Sequence, residues 1–232
     1  APAETAASYD LSVEQPIAQG VGVLVTGFYR TERDILRRAG EDHVDPVTGA
    51  RVPESIFPLI APSLNGTSQG VEVTVARKSG RGPVGWIAYS WTRTSFDDMV
   101  TGEHFAGDFD QRHTLNVFLQ QRLSYRMTLS GKFRVGSNFP IVGYFEGVPA
   151  DMWLSASRNN VRLPVYARFD MRLNRTFTFD RHRLTLFVEV MNVLGRENLR
   201  QSDGSIRANR QAVGWTDRLL PRVPSAGLLF EF

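Results

Sequence analysis

The sequence predicts an all-β protein whose antiparallel strands form a transmembrane β-barrel. Three observations predict this fold class: segments that alternate apolar and polar residues, connections that alternate between short and long, and an apolar last segment that ends in Phe232. In the last segment Leu228, Phe230 and Phe232 point to one side, and Leu229 and Glu231 point to the other. A strand that faces lipid on one side needs this alternation.

Composition alone does not reveal a membrane protein. The chain is 42% hydrophobic with a mean hydropathy of -0.23, as in many globular proteins. A run of 18 apolar residues is absent, which excludes a transmembrane helix, whereas alternating strands span lipid without raising mean hydropathy. The net charge of +3 comes without a long basic run, so a nucleic-acid partner is not expected.

Alternation recurs in nine segments, each close to the ~9–11 residues that a tilted strand needs to cross a bilayer. The segments are residues 8–16, 21–33, 68–78, 84–96, 112–121, 126–137, 165–177, 183–193 and 224–232. Bacterial single-chain barrels have even strand numbers. We therefore expect these nine strands to be the last part of a larger barrel, with a tenth strand in Ser205 to Trp215 as the alternative.

The connections between the segments alternate in length. Short connections fall at residues 17–20, 79–83, 122–125 and 179–182, and long ones fall at 34–67, 97–111, 138–164 and 193–223. Short periplasmic turns and long extracellular loops are typical of outer-membrane barrels. This asymmetry predicts extracellular long loops and a periplasmic C-terminus. Aromatic residues near strand ends predict an interfacial girdle: Tyr29, Phe96 and Tyr166 on the outer side, Trp86 and Tyr125 on the inner side.

The alternation also predicts a charged inward face. Its clearest members are Glu72, Lys132, Arg134, Arg168, Asp170, Arg172 and Glu189. Two interpretations are open for each of them. Either the side chains hold a plug or guide a polar solute, or they pair with each other across neighbouring strands and keep the wall rigid.

Acidic residues and histidines in and just after the second long connection raise a catalytic alternative. Asp108, Asp110 and His113, with Asp97, Asp98 and His104 nearby, are residue types that bind divalent metals or activate water. Spacing alone supports this weakly, so we expect no metal, no cofactor and no enzymatic activity. Arg33, Arg37 and Arg38 begin a long loop, where they contact lipopolysaccharide phosphates or are simply solvated.

Three stretches resemble TonB-dependent outer-membrane receptors: Gly107 to Asn116, Leu163 to Asn198, and Leu220 to Phe232. The resemblance covers roughly residues 8–232 and is to the C-terminal part of the barrel. It implies membership of a 22-stranded barrel. It also implies that the segment with Asp110, Arg112 and His113 opens a strand after an extracellular loop.

The family also carries an N-terminal plug domain and a short TonB-binding segment. Neither is found in residues 1–232, so the whole sequence is interpreted as barrel, with the plug absent. We therefore expect TonB and the plug to act only through a missing N-terminal part or a partner chain.

The predicted function is TonB-dependent uptake of a scarce, unknown small solute through the outer membrane. The expected partners are outer-membrane lipid, lipopolysaccharide and the barrel assembly machinery, for which Leu228, Phe230 and Phe232 form the predicted assembly signal. The alternative is a free-standing small outer-membrane barrel that acts as an adhesin, a structural component or an enzyme. A third interpretation is a soluble β-sandwich that binds a ligand.

Overall fold

The structure is a computed structural model that describes residues 3–37, 60–80 and 82–232. All regular elements in these residues are β-strands. No helix in the described part of the chain is long and apolar enough to cross a membrane.

Sixteen strands follow one another along the described residues. The first eight are β1 (Thr5–Ala18), β2 (Val21–Arg37), β3 (Ala61–Arg77), β4 (Val84–Asp98), β5 (His104–Ala106), β6 (His113–Arg122), β7 (Met127–Gly136) and β8 (Tyr144–Val148). The others are β9 (Asp151–Arg158), β10 (Tyr166–Phe179), β11 (His182–Met191), β12 (Leu199–Gln201), β13 (Ser205–Ile206), β14 (Gln211–Val213), β15 (Thr216–Arg218) and β16 (Val223–Glu231).

Nine long strands form the main sheet in the order β1-β2-β3-β4-β6-β7-β10-β11-β16, and the short β5 pairs with β4. All pairs in this sheet are antiparallel. The nine predicted segments are confirmed as these nine strands, although β1, β2 and β3 are each at least four residues longer than expected. Within the described residues β1 pairs only with β2 and β16 only with β11, so the sheet is open and the closed barrel remains a prediction.

The register of the main sheet follows the apolar and polar alternation. On β7 and β10, Phe133 lies opposite Phe169, and Arg134 lies opposite Arg168. A shift of one residue would exchange the two faces of either strand. The sheet therefore has an apolar face, which carries Phe133 and Phe169, and a charged face, which carries Arg134 and Arg168.

Short turns join the strands at one end of the main sheet, as the sequence predicts. Between β10 and β11 only Asp180 and Arg181 intervene, and Asp180 has a φ of 45°. Two-residue hairpins favour residues that tolerate positive φ, and Asp is one of them. The connection from β1 to β2 is equally short and ends on Gly20, whose φ is 72°.

The long connections at the other end build a second layer, called here the loop layer: residues 138–164 and 193–222. Four short strands form a sheet in the order β13-β14-β9-β8, and β12 pairs with β15. Ser205 to Trp215 therefore forms β13 and β14 beside β9, and the alternative of a tenth strand in the main sheet is wrong. The buried apolar cluster lies in this layer, in Ile141, Phe145, Met152, Leu154, Val161, Leu163 and Ala212.

The predicted aromatic girdle is wrong for three of its five residues. Trp86 lies opposite Phe118, which lies opposite Lys132, so Trp86 is on the charged face. Phe96 shares that face by its spacing on β4, and Tyr166 shares it by its spacing from Arg168. The position of a residue in a strand predicts how far along the strand its side chain lies. The face of the sheet on which the side chain lies depends instead on the two-residue period.

Candidate functional site on the charged face and the loop layer

The register places all seven residues predicted to face inward on the charged face. Arg134 lies opposite Arg168, Lys132 opposite Asp170, and Arg172 opposite Glu189. Glu72 reaches the same face through β4, β6 and β7. That this face lines a lumen remains a prediction.

The charges on this face divide into paired and unpaired groups. Arg172 Nη1 lies 3.3 Å from Glu189 Oε2 across the strands, and Arg168 Nε lies 2.7 Å from Asp170 Oδ1 along one strand. In the described residues Glu72, Lys132 and Arg134 form no ion pair. These three are the charges that ladder pairing does not explain.

A cleft of about 310 Å³ lies where the tops of β7 and β10 meet the loop layer. Arg134 and Tyr166 line it from the main sheet, with the guanidinium of Arg134 5.8 Å from the centre of the Tyr166 ring. Phe109 and Phe139 line it from the connections, in an edge-to-face arrangement with ring centres 6.2 Å apart. The cleft therefore combines aromatic rings with a cation.

A second cavity, of about 180 Å³, is lined by Lys132, Asp170 and Arg172 of the charged face, together with Phe118 and Glu189. Lys132 is two residues from Arg134 on β7. Successive residues on one face of a strand are about 6.6 Å apart. The two cavities thus follow one another along β7, from the loop layer toward the short turns.

A buried ion pair fastens the end of β2 to the end of β4. Arg37 Nη1 bonds Asp98 Oδ2 and lies 3.6 Å from Glu103 Oε2, and the same oxygen accepts the hydroxyl of Tyr144 at 2.8 Å. Burial, with the hydrogen bond to Glu103, raises the pKa of Tyr144 to about 12, so its hydroxyl remains a donor at neutral pH. Tyr144 belongs to β8, so this cluster also fastens the loop layer.

This burial overturns part of the predicted basic patch. Arg37 is 8% exposed and bound to Asp98, so both interpretations of Arg37, as a lipopolysaccharide contact and as a solvated residue, are wrong. The sequence could not reveal the pair, because 61 residues separate the partners. Arg33 is exposed on β2, and Arg38 lies outside the described residues.

A second buried carboxylate, Asp110, fastens the connection before β6. Its Oδ1 accepts the backbone N–H of Thr94 at 2.9 Å, its Oδ2 accepts Arg112 Nε at 3.2 Å, and Arg162 also bonds Oδ2. His113 then begins β6, as the resemblance implies. Asp110 therefore joins β4, β6 and the loop layer.

Asn159 forms a third set of contacts, which joins the loop layer to the end of β5 and the residues that follow it. Its side-chain amide donates to Asp108 Oδ1 and to the carbonyl of Ala106, each at 2.7 Å, and Arg158 Nη2 lies 3.4 Å from Asp108 Oδ1. The sequence reasoning missed Asn159, Arg158, Arg162 and Tyr144. A positive φ of 57° at Asn159 marks a local turn, but no local pattern identifies its partner about fifty residues away.

The six residues of the catalytic alternative are separated into different interactions. His104 Nδ1 lies 2.8 Å from Asp97 Oδ1, and His113 Nδ1 lies 2.8 Å from the hydroxyl of Tyr89. Asp98, Asp108 and Asp110 bind arginines, as described above. Among the residues that the structure describes, no group of three or more His, Asp or Glu side chains is placed to hold a metal.

Two asparagines stabilise the region between β11 and β16. Asn198 donates to the carbonyl of Ala167 and accepts its N–H, both at 2.9 Å, and thus pairs with the start of β10 as a neighbouring strand would. Asn192, with a φ of 52°, donates to the carbonyls of Arg196 and Leu220. Both asparagines are buried, so these bonds replace water that the backbone groups have lost.

The three residues of the predicted assembly signal lie at the end of the chain. On β16, Leu228 lies opposite Leu186 and Phe230 opposite Leu184, on the apolar face. Phe232 follows the strand and is 95% exposed. Their recognition by the assembly machinery remains a prediction.

No protein-family model matches the sequence, and no curated protein matches it. Among solved structures, the chain is similar to the closed-form crystal structure of the ferric-catecholate import receptor Fiu from E. coli K12. The TM-score is 0.60 at 11% sequence identity, over 98% of this chain and 27% of that one. The chain thus spans about a quarter of the length of that receptor, and the likeness shows an all-β, antiparallel fold shared with a part of it.

Proposed function

We propose that residues 1–232 form the C-terminal part of the barrel wall of a TonB-dependent outer-membrane receptor that takes up a scarce small solute. The observation that carries the proposal is the up-and-down order of nine long strands, aligned over 98% of the chain with an import receptor. The separation of the main sheet into an apolar and a charged face supports it, because barrel strands need one face for lipid and one for a wet interior.

In this proposal the loop layer is extracellular and the C-terminus is periplasmic. The support is the difference in connection length at the two ends of the main sheet. The apolar face contacts lipid and lipopolysaccharide acyl chains, and the assembly machinery binds Leu228, Phe230 and Phe232. TonB and a plug act through an N-terminal part or a partner chain, and the wall catalyses no reaction.

The first test is the location and the denatured intact mass of the polypeptide that carries this sequence. We expect it in isolated outer membranes, released by detergent but not by urea, at a mass well above 26.0 kDa. A mass near 26.0 kDa in that fraction would favour a small or split barrel. Recovery in the soluble fraction without detergent would overturn the proposal.

The assembly signal is tested by the variant Phe232→Ala. We expect a lower yield of folded protein in the outer membrane. Phe179→Ala is a matched control, because Phe179 is also exposed and also lies at the short-turn end of the main sheet. Equal yields of the two variants and of the unaltered protein would contradict the predicted role of Phe232.

A further inference from the structure

We propose that the cleft between β7, β10 and the loop layer binds a small anion that carries a flat apolar group, with Arg134 as its charge partner. The inference rests on the proposed function, since it assigns this cleft to the route of the solute. It names a class of ligand and a binding residue, neither of which follows from the fold alone.

The charge of the cleft supports an anion. Asp108 lines the cleft, but Arg158 and Asn159 bind its carboxylate. Arg200, also in the lining, lies 3.5 Å from Asp217. Arg134 forms no ion pair with any described residue and makes one long hydrogen bond, 3.4 Å to Gln111 Oε1. It is therefore the lining charge that a ligand can still neutralise.

The rings of the cleft support a flat apolar group. The Phe109 side chain is 87% exposed, and its ring contact is with Phe139 across the opening. Covering an exposed aromatic surface with another apolar group removes it from water and lowers the free energy of the complex. Tyr166 and Arg134 line the same cleft as the two phenylalanines, so a ring bound against the phenylalanines holds its anionic substituent in the cleft that carries the cation.

Lys132 places a second cation without an ion pair in the lining of the second cavity, as far as the described residues show. It lies on the charged face about 6.6 Å along β7 from Arg134, and it forms no ion pair within the described residues. Asp170, directly opposite, is engaged by Arg168 and by the N–H of Asn192. Lys132 is therefore a second cation on the same face that can attract an anion bound at Arg134.

The test uses a matched pair of probes, 2-naphthoate and the uncharged 2-naphthamide, which share one ring system. Binding to the complete polypeptide that carries this chain is measured by equilibrium dialysis, with the same detergent on both sides. We expect 2-naphthoate to bind more tightly than 2-naphthamide. Arg134→Gln should weaken 2-naphthoate about tenfold, since it removes a charge-assisted hydrogen bond. Lys132 is two residues away from Arg134 on β7, so Lys132→Gln should weaken the binding of 2-naphthoate only about twofold.

Arg122→Gln is the control, because Arg122 lies on the charged face at the short-turn end, forms no ion pair with the described residues and lines neither cavity. The affinity for 2-naphthoate should be unchanged in this variant. The affinity for 2-naphthamide should be the same in the unaltered protein and in all variants. Equal affinity of the two probes, or equal loss in Arg122→Gln and Arg134→Gln, would overturn the inference.

The outcome is separable from the proposed function. Folding of each sample in detergent is checked by the shift in its electrophoretic mobility on heating, and membrane location is measured independently. Lost probe specificity in a folded outer-membrane protein overturns the ligand inference alone. Absence from the outer membrane overturns the proposed function, whatever the probes bind.

Discussion

The main sheet and the loop layer bury their apolar residues in opposite ways. In the loop layer Ile141, Met152 and Leu154 are at most 2% exposed, as in the core of a water-soluble domain. On the apolar face of the main sheet Val188 is 55% exposed and Leu228 is 67% exposed. The same chain therefore contains a layer with a buried apolar core of its own and a sheet whose apolar face is left exposed.

This difference assigns the stabilising interactions of each region. The loop layer is held by side chains, through its apolar cluster and the ion pairs of the buried Asp98 and Asp110 and the partly exposed Asp108. The main sheet is held by its antiparallel ladders, and its side chains separate into an apolar and a charged face. Substitutions in the loop layer should therefore act through packing and buried charge, whereas those on the sheet should depend on lipid.

The largest expected effect is the loss of the buried ion pair. Asp98→Ala leaves Arg37 without its main partner in a site where both side chains are almost fully buried, and should lower the free energy of unfolding of the loop layer by about 3–5 kcal/mol. Hydrogen exchange of the β8 and β9 amides measures the change. Asp97→Ala is the control: its pair with His104 is exposed and should contribute less than about 1 kcal/mol. Similar effects of the two variants would contradict the account.

A pair of leucine truncations compares the two regions directly. Leu154→Ala leaves a cavity among packed side chains and should cost about 2–5 kcal/mol. Leu228→Ala should cost less, because lipid can fill the space beside the apolar face. Urea unfolding of the protein in lipid vesicles measures both. A larger cost for Leu228→Ala would reverse the assignment of the two regions.

The bond between Asn198 and Ala167 tests the junction of the two regions. Asn198→Ala removes partners from a buried backbone N–H and carbonyl and should cost about 1–3 kcal/mol. Faster exchange of the Ala167 amide reports it. Asn209→Ala, at an exposed position, should leave that amide unchanged. Unchanged exchange in both variants would mean that β10 does not depend on this contact.

The smallest effect is expected at an exposed ion pair of the loop layer. Arg218 and Glu197 are 3.2 Å apart, but both side chains are mostly exposed. Arg218→Ala should change the free energy of unfolding by at most about 1 kcal/mol, and salt should reduce the difference further. A loss comparable with that of Asp98→Ala would show that burial is not what separates the two pairs.

The sequence predicts the main sheet well, because each strand carries its own two-residue period. On β7 and β10 the period predicts which of Phe133, Arg134, Arg168 and Phe169 share a face, without any long-range information. The turn at Asp180 is similarly local. Residues 38–59 of the first long loop, including Arg38, lie outside the described residues, so that part of the prediction stays open.

The loop layer was not predictable in the same way. Its strands have two to eight residues, too few to display a two-residue period. The ion pairs and hydrogen bonds that stabilise it join residues that are far apart in the sequence. Arg37 has the sequence appearance of a surface cation, and only the approach of Asp98 explains its burial. The cleft at Arg134 has the same origin, since Phe109 and Phe139 come from separate connections.

The central claim is that the main sheet faces lipid on one side and water on the other. Residues 1–232 contain no cysteine, so a single cysteine placed at Lys132, Phe133, Arg134 or Val135 of β7 is unique among them. Each can be spin-labelled in outer-membrane vesicles once any cysteine elsewhere in the polypeptide has been replaced. The account predicts that labels at Phe133 and Val135 respond to lipid-soluble oxygen, and that labels at Lys132 and Arg134 respond to a water-soluble nickel complex. The same response at all four positions would contradict it.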